Sequence, residues 1–367
     1  MGSSHLAGPV LVIGTGLLGT SVGLGLRQKG VDVYLSDISP TAQGIAVDIG
    51  AGYALDTEQP IAPELVVIGA PPDVTAGLVV QALEDYPSAV VVDIASVKGS
   101  ILDAVRADER VEPEALARYV GTHPMAGREK SGPSAARGAL FTAMPWVLCA
   151  HEQAAPSAVK TAEALAIDLG ATVHRMSPRE HDESVALISH FPQAASSMIA
   201  SRLLNAPAHQ LALAGNGLRD TTRIAASDEK LWIQIFAHNA EALIPILSGM
   251  KQDLDRLIAT LKDPQGPGAL LDLSELMTEG NAGHARIPGK HGAPPQAFAQ
   301  VTVLVDDKPG QIARLLAEIG EAGINLEDLR MEHSAGYQVG LVDISVLPGR
   351  REELISVLSS NGWKVAQ

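Results

Sequence analysis

The tract Val10-Leu-Val-Ile-Gly14-Thr-Gly16-Leu-Leu-Gly19 constrains this chain more than any other. Four apolar residues suited to a strand run into a G-x-G-x-x-G turn, and a helical pattern follows. In a turn of this kind Gly14 permits the tight bend and Gly16 lets the backbone approach a pyrophosphate. Gly19 lets helix and strand pack closely, and the first helical amides, with Leu17 and Leu18, carry the positive end of the helix dipole toward phosphate. The second apolar run ends in Asp37, eighteen residues after Gly19. A carboxylate there accepts ribose hydroxyls and repels a 2′-phosphate, which predicts a dinucleotide site preferring NAD to NADP. A glycine turn without a ligand is the alternative, and the placement at the head of a βαβ unit argues against it.

The rest of residues 9–170 supports the same architecture. Short apolar runs at Val10–Ile13, Val31–Leu35, Leu65–Ile68, Val90–Ile94 and Trp146–Cys149 read as parallel strands covered on both faces. Helical patterns at Leu18–Lys29, Thr75–Leu83 and Ser100–Arg106 fall between them. This alternation predicts an α/β fold, a Rossmann-type doubly wound sheet over residues 9–177. Two further strand ends point at the same crevice. One carries Ala70, Pro71 and Pro72, where a stiff turn and a cofactor contact are equally good readings. The other carries Asp93-Ile-Ala-Ser96-Val-Lys98-Gly99.

Beyond residue 178 the character changes. Ala- and Leu-rich stretches at Ile188–Leu204 and Asp228–Leu261 predict long helices, and 178–285 reads as an all-helical domain. Residues 262–297 are dense in Gly and Pro, a linker composition, with the linker proper at 286–297. From 298 to 367 the pattern is strand Ala299–Val305, helix Pro309–Glu321, strand Ile324–Glu332, strand Gln338–Val346, helix Arg350–Ser359, strand Trp363–Val365. That βαββαβ order predicts a ferredoxin-like domain.

Charge and cysteine usage exclude some classes of function. With 42 acidic against 27 basic residues, the net charge of −15 repels nucleic acid and anionic membrane surfaces. The single Cys149 cannot form an internal disulfide, which suits a reducing cytoplasm. No apolar run is long enough to span a membrane. Met1–His5 lacks a signal-peptide core and reads as a cloning remnant.

The candidate chemistry lies in three tracts. The first is Gly121-Thr-His123-Pro-Met-Ala-Gly-Arg-Glu129-Lys-Ser-Gly132, just past a short strand at Arg118–Val120. A neutral imidazole there can accept a proton or hydrogen bond from a substrate hydroxyl as its carbon loses hydride. The second is His181-Asp182-Glu183 followed by Ser189-His190-Phe-Pro-Gln193. The third is Arg219-Asp220-Thr-Thr-Arg223, where Arg can clamp a carboxylate and a solvated helix face with local ion pairs is the plainer reading. His181 and Asp182 can simply orient one another. His123, His181 and His190 have no histidine at i+4 and there is no thiolate pair, so a metal site is disfavoured.

Together these tracts resemble the prephenate/arogenate dehydrogenase family of tyrosine biosynthesis. The matching pieces are Gly14–Gly19 with Asp37, Ser96-Val-Lys98, His123-Pro-Met-Ala-Gly127 through Glu129-Lys-Ser-Gly132, Glu180-His-Asp182, Ser189-His-Phe-Pro192 and Arg219-Asp-Thr-Thr-Arg-Ile-Ala225, spread over residues 9–250. Asp307-Lys-Pro-Gly310 and Gly323-Ile-Asn325 resemble an ACT domain, a module that commonly senses an amino acid. The resemblance implies NAD-dependent oxidative decarboxylation of prephenate to 4-hydroxyphenylpyruvate, with the site between the nucleotide domain and a helical domain that forms a homodimer. It implies that His123 holds the substrate hydroxyl and that Ser96 bonds the hydroxyl, His123 or the nicotinamide side. Arg223 would bind a carboxylate and Glu129 would shape the polar side of the pocket, with His190 and Gln193 nearby. Trp232 would be a pocket aromatic, or equally a core residue. Some relatives carry His where Gln193 stands, which keeps arogenate and 4-amino-4-deoxyprephenate as alternative substrates. Gly310 and Asn325 are the candidate effector contacts, with tyrosine as the expected ligand and a dimerisation module without ligand as the alternative. A 3-hydroxyacid oxidoreductase and a non-catalytic NAD and amino-acid sensor are the rival functions. The first would normally place a Lys base in the helical domain.

Overall fold

The computed structural model describes residues 4–56, 58–127, 130–288, 297–333 and 339–366. Two compact units divide the chain, Met1–Lys251 and Gln252–Gln367.

The first unit is built on an eight-stranded sheet. Its strands are β1 (Val10–Ile13), β2 (Val33–Ser36), β3 (Tyr53–Ala54), β4 (Leu65–Ile68), β5 (Val90–Asp93), β6 (Tyr119–Pro124), β7 (Pro145–Cys149) and β8 (Thr172–Arg175). They lie in the order β3-β2-β1-β4-β5-β6-β7-β8. The apolar runs are continuous because both faces are covered. Along β1, Val10 and Val12 enter one core with Val22, Leu26, Leu65 and Trp146, while Leu11 enters the other with Val66, Val79, Val91 and Ile101. Each such side chain removed from water contributes about 1.5–3 kcal/mol.

Three differences from the sequence expectation follow from pairing. β7 runs antiparallel to β6, with His123 opposite Val147, although its apolar run reads as one more parallel strand. A run buried on both faces carries no information about direction. The strand expected at Arg118–Val120 continues to Pro124, so His123 lies on β6 rather than past it. β3 and β8 have no strong apolar run, because they are short and partly exposed at the two edges.

Helices cover the sheet, including Leu17–Gln28, Pro72–Asp85 and Gly99–Ala107. Ser177 caps the helix Pro178–Val185 in a reciprocal box. Its hydroxyl accepts from the Glu180 amide at 3.2 Å, and the Glu180 carboxylate accepts from the Ser177 amide at 2.8 Å. One widened π turn, Ala186–His190, joins this helix to Phe191–Ser201. Pro192 has no N–H to reach back along the helix, and a widened turn of this kind accommodates the missing bond. The long helix expected at Asp228–Leu261 is broken. It forms as Glu229–His238 and Ala240–Lys262 with Asn239 between them. Ser4 and His5, set aside in the sequence reading, bond the buried Asp168 carboxylate: Ser4 Oγ donates at 2.6 Å and the His5 amide at 2.9 Å.

In the second unit Ala269–His284 is a helix, where Gly and Pro density in 262–297 predicts linker. Gly266, Pro267 and Gly268 end just before it, and Leu270, Leu271, Leu273, Glu275 and Leu276 favour helix. Residues 289–296, most of the expected linker, lie outside the described residues. The last segment forms a four-stranded antiparallel sheet of β9 (Ala299–Asp306), β10 (Asp328–His333), β11 (Val339–Val346) and β12 (Lys364–Ala366), in the order β10-β11-β9-β12. With the helices Gln311–Glu321 and Arg351–Ser360 this gives the ferredoxin-like connection order. Val301, Val303, Leu315, Ile344, Leu354 and Leu358 fill its core.

Candidate active site

The glycine turn is shaped for a ligand. Gly14 adopts φ +100°, and a Cβ on it would lie 2.4 Å from the Gly69 carbonyl oxygen. A Cβ on Gly19 would lie 1.9 Å from the Gly14 carbonyl oxygen, so helix and turn touch directly. Nothing stands within 4 Å of a Cβ on Gly16, which leaves the helix N-terminus open to a phosphate. Leu17 and Leu18 begin that helix. Asp37 Oδ2 accepts from the Thr15 amide at 2.5 Å and its hydroxyl at 2.9 Å, and Oδ1 accepts from the Ser39 amide at 2.7 Å. The carboxylate is thereby held beside the turn. Ala70 and Pro71 follow β4, where Thr75 Oγ1 donates to both carbonyls, and Pro72 opens the next helix. These residues fit a dinucleotide.

Beyond the ends of β5 and β6 lies a buried polar cluster. Asp93 ends β5, beside Gly121 of β6. Its carboxylate pairs with Lys98 and accepts from the Ala95 amide at 2.9 Å and Tyr119 Oη at 2.7 Å. Asp93 and Lys98 are almost wholly buried. The pair and the Ala95 bond fix the turn that carries Ser96, a half-buried residue.

His123 is buried, and its Nδ1 lies 2.8 Å from Nε2 of His181. The His181 Nδ1 lies 2.8 Å from Asp182 Oδ1. The Asp182 carboxylate also accepts from the amides of Lys98 at 2.9 Å and Gly99 at 2.7 Å. The Asn239 side chain donates to the Asp182 carbonyl at 2.8 Å and faces His190 Nδ1 at 3.0 Å. Burial first, and then His181, Lys98 and His190, hold the His123 pKa well below the ordinary imidazole value. Burial likewise lowers His190 to about 4. Cys149 is pushed up to about 12 by burial and stays a thiol.

His190 meets Trp232 edge to face, with ring centroids 6.0 Å apart. Trp232 and Gln193 line a cavity of about 200 Å³ with Ser197, Ser227, Glu229 and Phe236. Gln193 Nε2 donates to Ser197 at 3.3 Å, and Ser227 donates to Gln193 Oε1 at 3.3 Å. Arg219 and Arg223 are exposed, on the segment Asn216–Ala225. Among the described residues, neither bonds His123, Gln193 or Trp232. Glu129 lies outside the described residues. In the second unit Gly310 adopts φ +86° before the helix Gln311–Glu321, and Asn325 Nδ2 donates to Glu327 at 3.0 Å. The sequence reading named Lys98 and Asp93 only as part of a motif and did not single out Asn239. Lys98 stands only five positions after Asp93, so that pairing is short-range, whereas Asn239 meets Asp182 across 57 positions and leaves no local pattern.

A glycine turn shaped for a dinucleotide after β1 and a buried imidazole on β6 of the same sheet are the equipment of a nucleotide-dependent oxidoreductase. Residues 22–175 match the nucleotide-binding domain of prephenate dehydrogenase, and residues 177–279 match its dimerization domain. The chain belongs to the prephenate dehydrogenase family and is an NAD-dependent oxidoreductase. It is 35% identical over 363 residues to a Streptomyces niveus protein named "Probable prephenate dehydrogenase NovF", covering 96% of this chain and 98% of that one. It also resembles the prephenate dehydrogenase of Aquifex aeolicus solved with hydroxyphenyl propionate and NAD+. The TM-score is 0.66 at 26% identity, over 76% of this chain and 99% of that one. A Synechocystis arogenate dehydrogenase gives a TM-score of 0.60 at 25% identity, over 75% and 99%. Among the described residues no helix is long and apolar enough to cross a membrane.

Proposed function

We propose that the chain converts prephenate, with NAD, to 4-hydroxyphenylpyruvate and carbon dioxide. The observation that carries this reading is the His123 imidazole, buried and held neutral on β6 next to the turn that bears Ser96. Gly14, Gly16, Leu17, Leu18, Gly19 and Asp37 would hold the dinucleotide, with Ala70 and Pro71 alongside it. NAD supplies the acceptor for the hydride that leaves the hydroxyl-bearing ring carbon, and the loss of carbon dioxide from the opposite carbon aromatises the ring. The protein's own part is smaller. His123 accepts a hydrogen bond from the hydroxyl and stabilises the carbonyl character that develops there. Ser96 steers the same hydroxyl. Arg223 offers a guanidinium to a substrate carboxylate, overcoming locally the field of a chain with net charge −15. Gln193 and Trp232 form a wall for the substrate side chain.

A neutral Gln193 bonds a keto acid or an amino acid equally, and the similarity to an arogenate dehydrogenase favours arogenate as the second reading. The exposed Leu204 and Leu213 in the segment that matches the dimerization domain support a homodimer. The ferredoxin-like sheet supports an ACT-type regulatory domain, with Gly310 and Asn325 at an amino-acid site and tyrosine as the candidate effector. A single buried thiol suits a cytoplasmic enzyme. The deciding experiment is a steady-state comparison of prephenate and arogenate, each with NAD and NADP, following reduced nicotinamide and carbon dioxide together. No turnover with either acid rejects the proposal, as does reduction of NAD without release of carbon dioxide.

A further inference from the structure

We propose that His181 and Asp182 are positioning residues that fix the tautomer of His123, placing its proton on Nδ1 and its lone pair on Nε2. The Asp182 carboxylate receives the backbone N–H groups of Lys98 at 2.9 Å and Gly99 at 2.7 Å. Neither amide can accept, so both confirm the carboxylate as an acceptor at this spot. His181 Nδ1, 2.8 Å from Oδ1, must then be a donor. With a single proton on His181, bonded to Asp182, its Nε2 carries a lone pair; a doubly protonated His181 would reverse the next bond, and the tautomer measurement separates the two. The 2.8 Å contact of this lone pair with His123 Nδ1 needs a donor, which only His123 can provide. The remaining nitrogen of His123, Nε2, is left as the acceptor that the proposed reaction requires. Each step follows from the one before it, because a neutral imidazole donates from one nitrogen and accepts at the other.

The arrangement is held from several sides. His181 is fully buried, and its ring meets His123 edge to face at 5.1 Å. The Asp182 carbonyl is tied to Asn239 at 2.8 Å. Gly99 leaves room for the carboxylate, since a Cβ there would lie 3.0 Å from Asp182 Oδ2. In water an imidazole exchanges freely between its two neutral forms. A fixed acceptor at Nδ1 selects one of them before substrate arrives, the orienting role that a third group plays toward a catalytic histidine.

This inference rests on the proposed function for what Nε2 does, but the tautomer can be measured without any substrate. The full-length protein, labelled with 15N-histidine, is examined for the two ring nitrogens of His123, identified by their loss in His123→Asn. The expected result is a protonated Nδ1 and an unprotonated Nε2. Two variants then separate positioning from packing. His181→Gln keeps an oxygen to accept from His123 and an amide to donate to Asp182, whereas His181→Leu keeps bulk and removes both. His181→Leu is expected to mix the tautomers and to lower kcat with prephenate by about 10-fold or more, within the roughly 10²–10⁴-fold that such a base supplies. KM for NAD should stay within about two-fold. His181→Gln is expected to restore the tautomer and most of kcat. A proton on Nε2 in the wild type overturns the proposal, as does a tautomer unmoved by His181→Leu, or Gln no better than Leu at equal melting temperature. If His181→Leu does not fold, the wild-type tautomer still decides. If the tautomer is as assigned and neither prephenate nor arogenate reacts, the function fails and the positioning pair stands.

Discussion

Replacing Lys98 by Met tests how the buried ion pair beneath the site works. Lys98 and Asp93 are 1% and 0% exposed, so neither charge has water to fall back on. Met keeps the length of the lysine stem, which passes close to Gly121, where a Cβ would lie 3.1 Å from Lys98 Cδ. Removing one member of a buried pair costs about 3–5 kcal/mol, because the other charge is stranded. Asp93 would keep the Ala95 amide and the Tyr119 hydroxyl, which places the cost near the lower end, about 3 kcal/mol. Adding Asp93→Asn removes the stranded charge, so the double variant should lose only about 1–2 kcal/mol. Urea unfolding followed by tryptophan fluorescence measures both. A Trp363→Phe background leaves Trp146 and Trp232 to report on the first unit. The same variant should move the acidic limb of kcat/KM. The Lys98 charge is one cause of the low His123 pKa, and burial is the larger one. The limb should therefore shift upward yet stay below 6.5. A cost under about 1 kcal/mol, a double variant as unstable as the summed singles, or a limb that does not rise would each refute this reasoning.

Four further outcomes are expected. His123→Asn should lower kcat by about 10²–10⁴-fold with NAD affinity retained, and wild-type turnover would reject the assignment. Arg223→Ala should raise KM for the substrate far more than it alters NAD binding by titration calorimetry; an unchanged KM removes Arg223 from the site. Gly19→Ala forces a methyl against the Gly14 carbonyl and should abolish NAD binding and lower the urea midpoint of the first unit, because neither backbone can yield. The pH dependence of stability has a definite sign. His123 and His190 have folded pKa values below the unfolded 6.5, so the unfolded chain binds more protons in acid. Their contribution is complete above pH 6.5 and is lost as pH falls toward about 4, the folded value of His190. The melting temperature should fall through that window, and a rise there would contradict buried neutral rings.

Much of the fold is legible in order along the chain because its causes are local. A glycine turn after four apolar residues specifies a strand, a bend and a helix with no help from elsewhere, and β1 and β4 fall where their apolar runs stand. The βαββαβ order of the last segment is likewise written in alternating apolar patterns. Strand direction is not, since the Trp146–Cys149 run reads the same in either sense until β6 pairs with it antiparallel. The break at Asn239 and the widened turn before Phe191 are also hidden in apolar helical patterning, although Pro192 marks the second.

The sequence by itself determined which residue types stand at the ends of the strands: the glycines, Asp37, Ser96 and His123. Only the tertiary structure decided what each of them touches. His123 and His181 are 58 positions apart, and Lys98 and Asp182 are 84 apart. Propensity and periodicity act over a few residues, whereas a proton's place on an imidazole is set by whichever acceptor the folded chain brings within 2.8 Å.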